Sequence, residues 1–152
     1  MTGFLKGIAR HGVPRGPMET VAQVQVTREL GLQGDFRGAL RPGKKNWRQV
    51  SLIEEESWGE AMASLGANVP WHERRANLLV SGLKLPRRTG AVIAIGPSLR
   101  IETTGECDPC SRMEEVAPGL KAALMPFWRG GVLAKVLDDG EIAVGDEIRI
   151  EE

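Results

Sequence analysis

Short runs of alternating apolar and polar residues, separated by glycines, constrain this chain more than any other feature. Val21 to Thr27 places Val24 and Val26 on one side and Gln23 and Gln25 on the other. That is the period-2 pattern of a half-buried strand. Phe4 to Val13, Arg48 to Ile53, Leu78 to Val80, Ala91 to Ile95, Leu99 to Thr104, Val132 to Leu137, Glu141 to Val144 and Glu147 to Ile150 are further strand candidates. Glycine is abundant, 19 of 152 residues, and tight turns between short strands are where it is needed. The expected class is β-dominated. Gly96-Pro97 joins two runs as a hairpin, with Leu99, Ile101 and Thr103 on one face. Asp138-Asp139-Gly140 has hairpin turn chemistry between the strands on either side.

Helices are few. Ser51-Leu52-Ile53-Glu54 reads as a capping box opening a helix to about Leu65. Trp58, Ala61, Met62 and Leu65 form its apolar face, and Gly66 is its stop. Ser111-Arg112-Met113-Glu114 repeats the capping pattern. Pro118 ends that segment and starts a second helix, in which Leu120, Ala123, Leu124 and Phe127 share a face.

The charge balance, 20 basic against 20 acidic residues, argues against a general nucleic-acid binder. No apolar run approaches the roughly 20 residues that span a bilayer, so no membrane segment is expected. Met1 to Gly12 lacks a secretion signal, and two cysteines without one suit reduced thiols in a cytoplasmic protein. With neither repeat nor linker, residues 1–152 read as one domain.

Chemistry concentrates in Gly105 to Glu114, which holds both cysteines, Cys107 and Cys110. With Ser111 as N-cap, Cys110 stands just ahead of a helix, whose positive end favours a thiolate. Cys110 is then the working thiol and Cys107 a helper or bystander. Four readings stay open. They are a pair of packed thiols, a thioredoxin-like redox pair, a zinc site drawing on His11 and His72, and a thiolate that carries sulfur or ligates a soft metal. Residue spacing does not separate the last from the redox pair. Arg37, Arg41, Lys44, Lys45 and Arg48 form a basic loop without an acid, a candidate anion site. Asp35, in the Gly31 to Phe36 turn, is expected to accept hydrogen bonds from backbone amides.

Several separated motifs then agree with one family. They are Gly31-Leu32-Gln33-Gly34-Asp35, Arg48-Gln49-Val50-Ser51-Leu52, Arg75-Ala76-Asn77-Leu78-Leu79-Val80-Ser81-Gly82-Leu83, Gly90 with Ile95-Gly96, Pro109-Cys110, Gly130-Gly131-Val132, and Gly140 with Val144-Gly145-Asp146. In this order the chain resembles the MOSC family, found at the C-terminus of molybdenum cofactor sulfurases and as small stand-alone bacterial proteins. The resemblance implies a distorted β-barrel with peripheral helices. It implies a cysteine, by position Cys110, that ligates molybdenum or carries sulfur to it. It implies a molybdenum cofactor (molybdopterin) held by Arg48, Arg75 and the Lys44-Lys45 loop, with Asn77 and Asp35 among the cofactor-binding residues. The sequence departs from the family at Phe36, where a histidine is common, and in the extra Cys107. The pyridoxal-phosphate sulfurase domain of larger members is not expected here, so pyridoxal phosphate is an association of the family name only. The implied partners are the cofactor, a sulfur donor protein and, for a reductase, a redox partner. The rival readings are a molybdenum-dependent reductase of N-hydroxylated compounds, a thiol redox protein and a binding module without turnover.

Overall fold

In the computed structural model, which describes residues 2–151, the alternating runs close on themselves. The chain order is β1 (Thr2–Arg10), β2 (Glu19–Val21), β3 (Gln23–Thr27), β4 (Gly31–Leu32), β5 (Val50–Glu54), α1 (Glu55–Leu65), β6 (Leu78–Ser81), β7 (Val92–Ile95), β8 (Leu99–Glu106), α2 (Arg112–Val116), α3 (Leu120–Leu124), β9 (Val132–Asp138), β10 (Gly140–Ala143) and β11 (Glu147–Glu151). Single 3-10 turns lie at Trp71–Arg74 and Pro126–Trp128. Seven strands pair in the order β11-β7-β8-β9-β5-β6-β1, and β1 pairs with β11 to seal a barrel. The seal puts Thr2 opposite Arg149 and Phe4 opposite Glu147. β2 adds to β1 outside the ring, and β10-β3-β4 form a second small sheet.

Barrel neighbours are antiparallel except β5 and β6, where Leu52 faces Leu78 in parallel. A parallel pair needs a crossover, and α1 supplies it. Every residue of β5 is buried because the strand is covered on both sides. Val50 and Leu52 join Leu78, Val80, Ile101 and Ala134 inside the barrel. Ile53 and Leu79 point outward against Trp58, Ala61 and Met62 of α1 and against Met113, Leu120 and Leu124. Each fully buried aliphatic side chain here contributes roughly 1.5–3 kcal/mol. Val24, Val26, Leu32 and Ile142 of the small sheet belong to the barrel core as well.

Four local expectations are corrected. Ser51 is a strand residue rather than a helix cap, and α1 starts at Glu55. The buried Glu54 carboxylate accepts from the Ser57 hydroxyl (3.2 Å) and the Leu85 amide (3.0 Å). Ser111 has helical backbone angles and makes no cap. Its expected partner, Glu114, instead accepts from the Gly119 and Lys121 amides at the start of α3. Phe127 leaves the apolar face and is 69% exposed, because Pro126 ends α3 and turns the chain into the 3-10 segment. Asp138-Asp139-Gly140 does not fold β9 onto β10. Both edges of β9 are already taken, by β8 and β5, so β10 crosses to β3, with Gly140 opposite Val26. Asp139 accepts from the Arg28 amide at 2.7 Å across that crossing.

Two contacts position the site. Gly131 has φ +103, and a Cβ there would collide with the Leu52 carbonyl oxygen, so the chain after α3 lies flat on β5 only with glycine. The buried Gln49 donates to the carbonyls of Arg28 (2.8 Å) and Gly38 (3.1 Å) and accepts from the Val136 amide (2.9 Å). It thereby roots both ends of the basic loop in the barrel wall. No helix among the described residues is long and apolar enough to cross a membrane.

Candidate functional site

A cleft of about 360 Å³ opens where four segments converge. His11 and Arg15 come from the chain after β1. Asp35, Phe36 and Arg37 follow β4. Ser51 of β5, with Arg74, Arg75 and Asn77 ahead of β6, forms the floor. Asp108, Cys110, Arg112 and Met113 close the far side. Arg48 completes a set of six arginines facing two carboxylates.

The floor is fixed by Asn77. Its Oδ1 accepts from the Ser51 amide (3.0 Å) and hydroxyl (3.2 Å), and its Nδ2 donates to the Ala9 carbonyl (3.1 Å). One side chain therefore ties β1, β5 and β6 together beneath the cleft. Arg75 has a left-handed backbone, φ +68, stabilised by its amide donating to the His72 carbonyl at 2.8 Å. Asp35 accepts a backbone amide, but from His11 after β1 (3.1 Å) rather than from its own turn as expected.

The two cysteines differ. Cys107 is buried and Cys110 exposed. Cys107 is held by Arg74, which is itself 5% exposed. The Arg74 guanidinium donates to the carbonyls of Cys107 (2.8 Å) and Gly130 (3.0 Å) and lies 3.4 Å from Cys107 Sγ. The Cys107 amide donates to the Gly131 carbonyl at 2.9 Å. Cys107 lies outside the cleft lining, whereas Cys110 is part of it. The helix after Cys110 is only five residues long, too short for a substantial dipole. The positive surroundings of the cleft come from arginine side chains instead. Among the described residues no three His, Cys, Asp or Glu side chains gather, so a metal held here would have to bring most of its own ligands.

The arginines disturb one another. Burial first, then Arg48 and Arg112, push the Arg37 guanidinium below its ordinary value. Burial first, then Arg112 and Arg37, do the same to Arg75. His11, 6% exposed, is pushed below 6.5 by burial, with Asp35 opposing and Arg75, Arg37 and Arg112 reinforcing. Its Nδ1 lies 3.5 Å from Asp35 Oδ1 but has no hydrogen-bond partner. At 3.5 Å this is electrostatic proximity rather than a hydrogen bond, because it lies beyond the usual donor–acceptor distance. Because the folded value lies below 6.5, stability falls as pH drops below 6.5, levelling off below the folded value. An anion in the cleft offsets the three arginines and raises the His11 value. NMR titration of the imidazole, with and without inorganic pyrophosphate, checks both. A free protein titrating at or above 6.5, or a value unmoved by pyrophosphate, contradicts this account.

Of the residues singled out by sequence, Cys110, Arg48, Arg75, Asn77 and Asp35 line this cleft. Lys44 and Lys45 do not; they line an adjoining cleft. Sequence reasoning named His11 only as a zinc ligand and missed Arg15 and Arg74 as site residues. The Arg74-Arg75 doublet beside a matched motif was the one available signal for Arg74.

The sequence model described as the MOSC domain matches residues 38–149. Among solved structures, the YuaD protein from Bacillus subtilis is 22% identical, with 97% of this chain and 94% of that chain covered at a TM-score of 0.79. YiiM from Escherichia coli is 15% identical, covering 98% of this chain and 70% of that one, with a TM-score of 0.70. YiiM from Geobacillus stearothermophilus is 17% identical, covering 99% and 73%, with a TM-score of 0.65. At these identities the structural likenesses show a shared fold. No curated protein matches this chain.

Proposed function

Because this chain belongs to the MOSC domain family, we propose that it binds a molybdenum cofactor, or carries sulfur to one, through Cys110 in its arginine-lined cleft. The observation that carries this reading is one exposed thiol in the wall of a cleft that six arginines line. The donor set fits the group. Guanidinium forks suit phosphate oxygens, and a cysteine thiolate suits a soft metal or a sulfane sulfur. A bound molybdenum cofactor would supply a redox-active metal and the pterin phosphate.

The chain's own part is binding and orientation. Arg48, Arg75, Arg37 and Arg112 hold the anionic end. Asn77, already committed to the floor, keeps Arg75 in place beside β6. For sulfur carriage, the Cys110 thiolate attacks the outer sulfur of a donor persulfide. The donor S–S bond breaks, the donor leaves as a thiolate, and Cys110 keeps the sulfur as a persulfide with no net change in electron count. A redox pair with Cys107 is less favoured, since Arg74 holds that sulfur in the interior. Reduction of an N-hydroxylated substrate, with an added electron donor, separates a reductase from a carrier.

Reversing charge at Arg48 or Arg75 (Arg48→Glu, Arg75→Glu) is expected to lower cofactor uptake by about tenfold or more, the loss of one charge-assisted bond to phosphate. Folding should change little. Molybdenum and pterin content, beside circular dichroism, measures this. Uptake equal to the parent protein would count against the anion site.

A further inference from the structure

The chain is formally neutral, with 20 acidic and 20 basic residues, yet its cations are unevenly placed. Beside the Cys110 cleft lies a second one of about 400 Å³, lined by Arg41, Lys44 and Lys45 together with Phe36, Arg37 and Arg48, and by no carboxylate. Phe36, Arg37 and Arg48 belong to both clefts, so the two form one trough. Among the described residues none of these cations forms an ion pair with a carboxylate. Gathering like charges without counter-ions is unfavourable, so the trough is built for an anion.

The wall also carries a flat surface. Phe36, 39% exposed, stands at the junction, with the Arg41 guanidinium 5.7 Å from its ring centre. Trp47, outside the lining of either cleft, has the Lys45 ammonium 4.8 Å from its ring. The loop that presents them is anchored. The Leu40 amide donates to the Glu29 carbonyl at 2.8 Å. Asn46 accepts from the Arg41 amide at 3.2 Å and donates to the Lys44 carbonyl at 3.3 Å.

From this continuity we infer that the second cleft is a nucleotide subsite, taking a phosphate on Arg41, Lys44 and Lys45 and a planar base against Phe36. The inference rests on the reading above, in which the Cys110 cleft holds an anionic cofactor. The ligand of the whole trough is then a cofactor extended by a nucleotide, with a second phosphate and a base in the second cleft. An aromatic ring at the junction favours a ligand with a ring over an acidic polypeptide.

Calorimetric titration of the full chain with 5′-GMP, guanosine, inorganic phosphate and a deca-glutamate peptide tests it. GMP should bind, and guanosine should bind about tenfold more weakly or worse for lack of the phosphate. Lys44→Glu with Lys45→Glu should weaken GMP by about tenfold or more. Phe36→Ala should weaken GMP several-fold without changing inorganic phosphate binding. Cys110→Ser should leave GMP affinity as it was. GMP binding that ignores the lysine pair overturns the subsite, as does binding of deca-glutamate without GMP, which would mark an acidic-polypeptide site. The two proposals fail separately. A protein that retains cofactor but not GMP loses the subsite alone. A protein that binds GMP through Lys44 and Lys45, but holds neither molybdenum nor sulfur, keeps the subsite and loses the Cys110 reading.

Discussion

Cys110→Ser is expected to strip the protein of molybdenum and of sulfane sulfur, and Cys107→Ser to weaken retention less. The difference follows from where the two sulfurs lie. Cys110 is exposed on the cleft wall, and Cys107 is 3% exposed behind it. A serine hydroxyl is a poor ligand for a soft metal and forms no persulfide, so the loss at Cys110 should be complete. At Cys107 a serine oxygen can still accept from Arg74, and the cost is confined to repacking a small buried side chain. Metal analysis and cyanolysis of the two variants measure retention. Iodoacetamide applied to the native parent should label one thiol, Cys110, and reach Cys107 only after unfolding. Equal retention in the two variants would remove Cys110 from the chemistry.

Arg74→Met should be among the most destabilising single changes near the site. Its guanidinium serves the buried carbonyls of Cys107 and Gly130. Leaving each carbonyl unpaired costs about 1–3 kcal/mol, so the pair loses about 2–6 kcal/mol. Methionine fills much of the volume but donates nothing. Arg74→Lys should recover only part, because an ammonium lacks the planar fork that reaches both oxygens. Urea denaturation gives the magnitude. Alkylation gives the local consequence, since Cys107 should become reactive in the native Met variant. A loss under about 1 kcal/mol, with Cys107 still protected, would show that the cysteine loop is held by other contacts.

The strands were legible where one face is wet. Leu99, Ile101 and Thr103 alternate with half-buried neighbours in β8, and that pattern belongs to the local chain alone. The face of α1 was equally readable, since Trp58, Ala61 and Met62 all pack as the 3.6-residue period requires. What failed was any reading that needed to know a distant partner. Ser51 satisfies a capping pattern with Glu54, but Asn77, just ahead of β6, engages its hydroxyl. The Asp138 to Gly140 turn has hairpin chemistry, yet β8 and β5 already occupy both edges of β9.

The site divides in the same way. Cys110, Arg48 and Arg75 could be named because they sit in short motifs that resemble a family. His11 could be named only as a zinc candidate, because its place beside Asn77 and Asp35 depends on the pairing of β1 with β6 and on the Asp35 contact to its amide. The basic loop was recognisable as a charge run. That it divides between two clefts depends on how Gln49 roots it in the barrel wall, and no local pattern encodes that.

Molybdenum, pterin and sulfane sulfur measured together on the parent chain, purified from a host that makes the cofactor, bear most directly on the role of Cys110. The account predicts molybdenum with pterin, or one labile sulfur, in about equimolar amount with the chain, released when Cys110 is alkylated. A preparation carrying none of the three, with the Cys110 thiol free and unmodified, would contradict it.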